Sequence, residues 1–214
     1  KEETATRWRQ EAPPEFEFVV KAWQAITHPL SSPTWRKAKH PRGPGSRYGL
    51  LRPTKENFVA WNDTLVICRI LRTKLCLIQC PPQLSYTGHN VRNIKRFFSE
   101  VDRAGMVLLW EPRGNWATRS VEVKRLCEKL ELVHVVDPLR NEPAHLGETA
   151  YFRLHGLGPK RFNYSYKYSA DDLSRLSEKM SALPKGVKDV YVMFNNVSMF
   201  RDAQSFAVRN RSAE

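Results

Sequence analysis

Apolar positions in this chain follow two alternating rhythms. At 3-4-3 spacing, Phe58, Trp61, Leu65 and Cys68 mark one face of a helix over about Thr54–Arg72. Val91, Ile94, Phe97, Phe98 and Val101 mark a second over His89–Arg103. Leu173, Leu176, Met180 and Leu183 mark another over Ser169–Leu183, with Ser169 and Asp172 as an S-x-x-D start signal. Further helices are predicted over Lys1–Gln10, Thr118–Leu130 and Arg201–Asn210. Short, nearly continuous apolar runs predict strands at Phe16–Ala22, Leu75–Gln79, Met106–Trp110, Leu132–Val136, Ala150–Leu154 and Lys188–Phe194. Such runs suit strands covered on both faces. Between Trp23 and Pro53 lies a long Pro-, Gly- and Ser-rich loop with one short helical turn. Asn141–Thr149 reads as a second loop.

Strands alternating with helices predict an α/β fold with a parallel sheet and helices outside. No change of composition marks a boundary, so residues 1–214 are expected to form one TIM-barrel-like domain. A closed barrel of this kind needs eight strands, and six are visible. The chain opens at Lys1 inside a helix, and two strands are expected to precede it; without them the sheet stays open beside its first strand.

Charge changes the picture. The chain carries 35 Lys and Arg against 22 Asp and Glu, a net charge of +13. From Phe18 to Lys55 there is no acidic residue, while Lys21, Arg36, Lys37, Lys39, Arg42, Arg47, Arg52 and Lys55 are present, with Trp23, Trp35 and Tyr48 interleaved. Arg36, Lys37, Lys39 and Arg42 are the candidate nucleic-acid surface, with aromatic stacking favouring single strands or flipped bases. The alternative is a solvated basic loop. No apolar run approaches the roughly 18–20 residues that span a bilayer, so no membrane partner is expected. Cys68, Cys76, Cys80 and Cys127 show no CxxC or zinc-finger spacing. They read as buried free thiols, which favours a reducing cytoplasm.

Polar side chains end each strand: Lys21, Gln79, Glu111, Asp137, Arg153 and Asn195. Parallel strands bring such ends to one mouth, where barrel enzymes do their chemistry. Glu111, His155 and Asp137 are the candidate catalytic groups, as acids and bases. Each has a structural alternative: Glu111 as the partner of Arg153, His155 as a hydrogen-bonded structural residue, Asp137 as the turn-starter before Pro138. Lys21, His28, Arg113, Arg153, Asn195 and Asn196 are the candidate anion- and substrate-binding set, guanidinium offering a bidentate fork to phosphate or carboxylate. The two amides equally suit a loop cap. Tyr164, Tyr166 and Tyr168 alternate in the loop after Gly156, as a clamp for a base or sugar or as a cover. His28, His155, Glu111 and Asp137 supply part of a donor set for a divalent metal, but no H-x-H or H-E-x-x-H occurs, and cofactor use is left open.

These motifs carry a resemblance. Phe18-Val19-Val20-Lys21-Ala22 with Thr27-His28, then Leu77-Ile78-Gln79-Cys80-Pro81-Pro82, Glu111-Pro112-Arg113 with Trp116, Arg153-Leu154-His155-Gly156, Tyr168-Ser169, and Tyr191-Val192-Met193-Phe194-Asn195-Asn196 follow one another in this order. In this the chain resembles the YecE-like barrel proteins, domain of unknown function 72. The resemblance implies a TIM-barrel-like fold. The family's Gly-rich first strand and its second strand with Glu, Asn and Tyr have no match here, and Gly114 stands where the family often has His. Because the family has no agreed function, the resemblance implies little about activity. Likeness to barrel endonucleases acting on abasic DNA, or to sugar isomerases, is one of fold alone.

Three readings follow. The first is a hydrolase acting on a phosphate-bearing substrate such as nucleic acid. The second is a non-catalytic nucleic-acid- or anion-binding protein. The third is a sugar or sugar-phosphate enzyme.

Overall fold

In the computed structural model, which describes residues 1–159 and 162–211, β1 (Val19–Lys21), β2 (Leu75–Gln79) and β3 (Val107–Glu111) run side by side and parallel. Val19 faces Leu75, and Leu75 faces Val107. Ile78 and the three residues before it are buried, as the uninterrupted apolar run of β2 predicts for a strand covered on both faces. The chain divides into two compact units, residues 1–132 and the residues from Val133 onward.

In the first unit, helix α1 (Glu2–Glu11) and helix α2 (Gln24–Thr27) both pack on α3 (Lys55–Ile70). α3 starts at Thr54, whose side chain accepts the Asn57 amide and so satisfies a donor that a helix start leaves unpaired. Its Trp61 meets Phe97 of α4 (Gly88–Glu100) edge-on and donates its indole N–H to the Asp102 carbonyl at 2.7 Å. Helix α5 (Ser120–Leu130) packs on α4 and ends at Glu131 in a left-handed conformation.

The chain leaves this unit through β4 (Leu132–His134). In the second unit, β5 (Thr149–Leu154) and β6 (Asp189–Phe194) are parallel, with Arg153 opposite Met193. Val136 makes an isolated parallel bridge to Phe152. Helix α6 (Ala170–Ser181) begins in a complete capping box at Ser169 and Asp172. Helix α7 (Met199–Arg211) follows β6. Leu154, Tyr168, Leu173, Leu176 and Phe194 form the core, with Phe206 of α7 packed on it.

The α/β class, the parallel pairing and all six expected strands are present, and two elements differ in extent. β1 is shorter than Phe16–Ala22, because Arg9 of α1 takes over its first half. The guanidinium donates to the Phe16 carbonyl at 2.9 Å and lies 5.0 Å from the Phe18 ring. β4 stops at His134, whose ring accepts the Ala144 amide at 2.9 Å. The long loop holds more structure than expected: α2 and two 3₁₀ turns, Pro33–Lys37 and Gly45–Arg47. No helix among the described residues is long and apolar enough to cross a membrane.

Candidate functional site

Parallel pairing puts Lys21, Gln79 and Glu111 at the same edge of the first unit's sheet, with Gln79 directly opposite Glu111. Two residues past Glu111, Arg113 lies on the same side of the chain. Its Nε and Nη2 both donate to Glu111 Oε1, at 2.9 and 2.7 Å. The pair is largely sheltered, with side-chain exposures of 13% for Arg113 and 8% for Glu111. Gly114 then turns away at φ +74, where a Cβ would stand 3.1 Å from the Pro82 carbonyl oxygen, so a side chain at this turn is strained.

His28 completes this group. It is buried, with Nδ1 2.7 Å from the Thr27 hydroxyl. Burial, then the charges of Lys21 and Arg113, push its pKa down to about 4. At neutral pH it is therefore an uncharged hydrogen-bonding ring beside two cations. Below the edge, burial pushes the Cys80 thiol up to about 12, with Glu111 adding to the shift and Trp110 and Arg113 opposing it. All four cysteines are free and buried, as expected.

The acid-free stretch sorts its residues into two kinds. Arg36, Lys37, Lys39 and Arg42 are exposed. Trp35 and Tyr48 are not a stacking surface, because both are buried. Trp35 packs against His40 with centroids 5.4 Å apart, and the Tyr48 hydroxyl donates to the Arg42 carbonyl at 2.7 Å. Both rings anchor the loop from inside. Trp23, 38% exposed, keeps a partly open face.

In the second unit, Asp137 accepts the Leu139 amide on Oδ1 and the His155 amide on Oδ2, each at 3.1 Å. Burial raises its carboxyl pKa, while these bonds and the nearby His155 and Arg140 oppose the rise. These bonds make Asp137 an organiser of the turn after β4. His155 is buried one residue beyond β5, and the Asn195 amide nitrogen lies 3.0 Å from its Nδ1. With that nitrogen donating, Nδ1 accepts and the neutral ring carries its proton on Nε2. Phe162 and Tyr164 meet the ring edge-on, at 5.1 and 6.2 Å. Arg153 is half-buried within β5, and its backbone amide donates to the Val136 carbonyl.

Other members of the expected set hold structure. Asn196 Nδ2 donates to the Tyr166 carbonyl and to Asp202 Oδ2, the cap reading of this residue. The Tyr166 hydroxyl donates to Asp172, and the Tyr168 hydroxyl accepts the Gly156 amide. Of the three alternating tyrosines, Tyr164 alone is exposed. Lys160 and Arg161 lie outside the described residues. Phe162, which touches His155, was legible as an extension of the same alternation one step earlier. Among the described residues, no three His, Cys, Asp or Glu side chains are grouped to hold a metal.

Against protein-family models, the chain matches the one described as a protein of unknown function, DUF72, over residues 1–212. No curated protein matches it. Among solved structures it is similar to a DUF72 family protein from Thermotoga maritima MSB8, at 22% identity and a TM-score of 0.72, covering 99% of this chain and 80% of that one. It is also similar to a DUF72 family protein from Enterococcus faecalis V583, at 19% identity and a TM-score of 0.69, covering 99% of this chain and 83% of that one. At these identities the likeness is one of fold.

Proposed function

The chain belongs to the DUF72 family, whose function is unknown, and from its strand-end groups we propose that the protein binds a phosphate-bearing substrate at the edge formed by β1, β2 and β3. One observation carries this reading: parallel pairing brings Lys21 to the edge where Arg113 is held on Glu111 at 2.7 Å, beside the buried His28, whose pKa is lowered first by burial and then by these two charges. Two cations around a neutral hydrogen-bonding ring, with the carboxylate of Glu111 beside them, make a strand-end edge with oriented donors. Guanidinium and ammonium groups so placed suit phosphate oxygens.

Titration with inorganic phosphate and with a nucleoside monophosphate tests the reading. Saturable binding is expected, weakened about 10- to 100-fold in Lys21→Ala and in Arg113→Lys, the loss that follows removal of a charge-assisted hydrogen bond. Equal binding by both variants and the parent would overturn it.

Hydrolysis of the bound phosphoester is a second reading, favoured by the fixed orientation of one candidate acid–base group, Glu111 on Arg113. Release of p-nitrophenol from a phosphodiester analogue, abolished by Glu111→Gln, is its test. Without turnover, the binding reading stands alone. A TIM-barrel-like closure, a single domain over residues 1–214 and a cytoplasmic location belong to the same proposal. The first rests on the resemblance, the second on the unbroken composition and the third on the free thiols.

A further inference from the structure

The acid-free stretch contains cations of two kinds, and the structure separates them. Arg47 pairs with Glu56 at 2.8 Å, and Arg52 donates to the Tyr48 carbonyl at 2.5 Å. These hold the loop. Arg36, Lys37, Lys39 and Arg42 are exposed, and among the described residues none of them is paired with a carboxylate.

The loop that carries them is closed at its base. The Gly49 amide donates to the Ala25 carbonyl at 2.6 Å, and Leu50 and Leu51 donate to Thr27 and Ile26 at 3.0 Å. Asn57, fully buried on α3, donates to the Gly49 and Arg52 carbonyls. Gly49, at φ +75, lies so close to the His28 carbonyl that a Cβ there would collide with it. Trp35 and Tyr48 then fill the interior. The four cations thus stand on an ordered platform, and ordering cost is not left to the moment of binding.

We propose that this platform binds the phosphate backbone of nucleic acid, duplex at least as well as single strand, without reading sequence. This deepens the phosphate-substrate reading by naming the substrate class, and rests on it only for what the strand-end edge then holds. From Arg36 to Arg42 the chain spans at most about 20 Å, over which one duplex strand presents about six phosphates at 3.4 Å each. Phosphate contacts of this kind position a protein and carry no sequence information. Burial of Trp35 and Tyr48 withdraws the stacking that would favour unpaired bases. An anionic membrane fits less well. The platform's large apolar side chains point inward, and Trp23, before the loop begins, is the exposed one of the stretch.

Anisotropy with a labelled 20-base-pair duplex and its single strand, at 50 and 200 mM salt, tests the proposal. Four neutralised phosphates predict a log–log slope of about −3.6 on duplex, a loss of roughly 100-fold across that range. A variant with Arg36, Lys37, Lys39 and Arg42 all replaced by Ser, its fold checked by circular dichroism, is expected to bind duplex at least tenfold more weakly with a shallower slope. Absence of duplex binding at 50 mM salt would overturn the proposal. So would an unchanged slope in the variant, tighter binding of the single strand, or tighter binding to phosphatidylserine vesicles than to duplex. The variant should keep the phosphate affinity governed by Lys21 and Arg113, so failure of the platform and failure of the strand-end site are read separately.

Discussion

Glu111 and Arg113 stand two residues apart at the end of β3 and meet at 2.7 Å in surroundings that shelter both. Strand alternation places them on one side, and the turn at Gly114 folds the guanidinium back over the carboxylate. Arg113→Ala is expected to lower unfolding free energy by about 3 kcal/mol, because it removes a partner from a buried charge. Glu111→Gln with Arg113→Ala should cost less than the two single changes added together. Urea denaturation of the four proteins measures both; strict additivity would mean the pair has no coupling.

Acid should weaken the fold before the carboxylates titrate. His28 and His134 both have pKa values near 4 in the folded state, each lowered first by burial, against an ordinary 6.5. Between those values the unfolded chain binds the proton and the folded chain does not. Their contribution is therefore complete above about 6.5 and is lost as pH falls towards 4, at up to about 1.4 kcal/mol per pH unit for each group. Stability measured from pH 7.5 to 5 should fall, and His28→Asn and His134→Asn should each flatten the curve. A flat profile in the parent protein would refute this.

Gly49→Ala tests the base of the basic loop. Its positive φ and the His28 carbonyl beside it leave no room for a methyl group. A loss of at least about 2 kcal/mol is expected from the backbone strain and the collision together. Gly43→Ala, at φ +102 but with open space around it, should cost only the conformational part. Equal melting temperatures for the two variants would contradict the closed base.

The His155 ring should be the Nε2–H tautomer when neutral, since Asn195 donates to Nδ1. Nitrogen chemical shifts of the imidazole read this directly. Asn195→Ala is expected to release the preference, with the two nitrogens moving towards a common value. A protonated Nδ1 in the parent would mean that the amide faces the other way.

Local signals in the sequence were reliable where local physics decides. Ser169 starts its helix as a side-chain cap, as the S-x-x-D signal predicts, and the pairing of Glu111 with Arg113 fits strand alternation, although Arg153 was the partner expected for Glu111. Long-range contacts set the rest. Trp35 and Tyr48 sit among cations in the sequence, a pattern that reads as a stacking surface. Their burial depends on the chain returning at Gly49 to α2. Asp137 and Asn196 read equally as chemical groups or as turn and cap residues, and only the structure shows the partners they hold, the His155 amide and Asp202. β1 lost its first half to Arg9, a side chain whose reach across the Pro13-Pro14 break leaves no mark in hydrophobic periodicity.

Closure at Gly49 makes the stretch above it a cassette. Both of its ends are fastened to α2 and α3 by backbone hydrogen bonds and by Asn57, so the sheet bears no load from the tip. The tip can lengthen, shorten or exchange its charges while the strand-end groups below keep their spacing. Charges at the tip and side chains at the strand ends are thereby free to change at different rates within one chain.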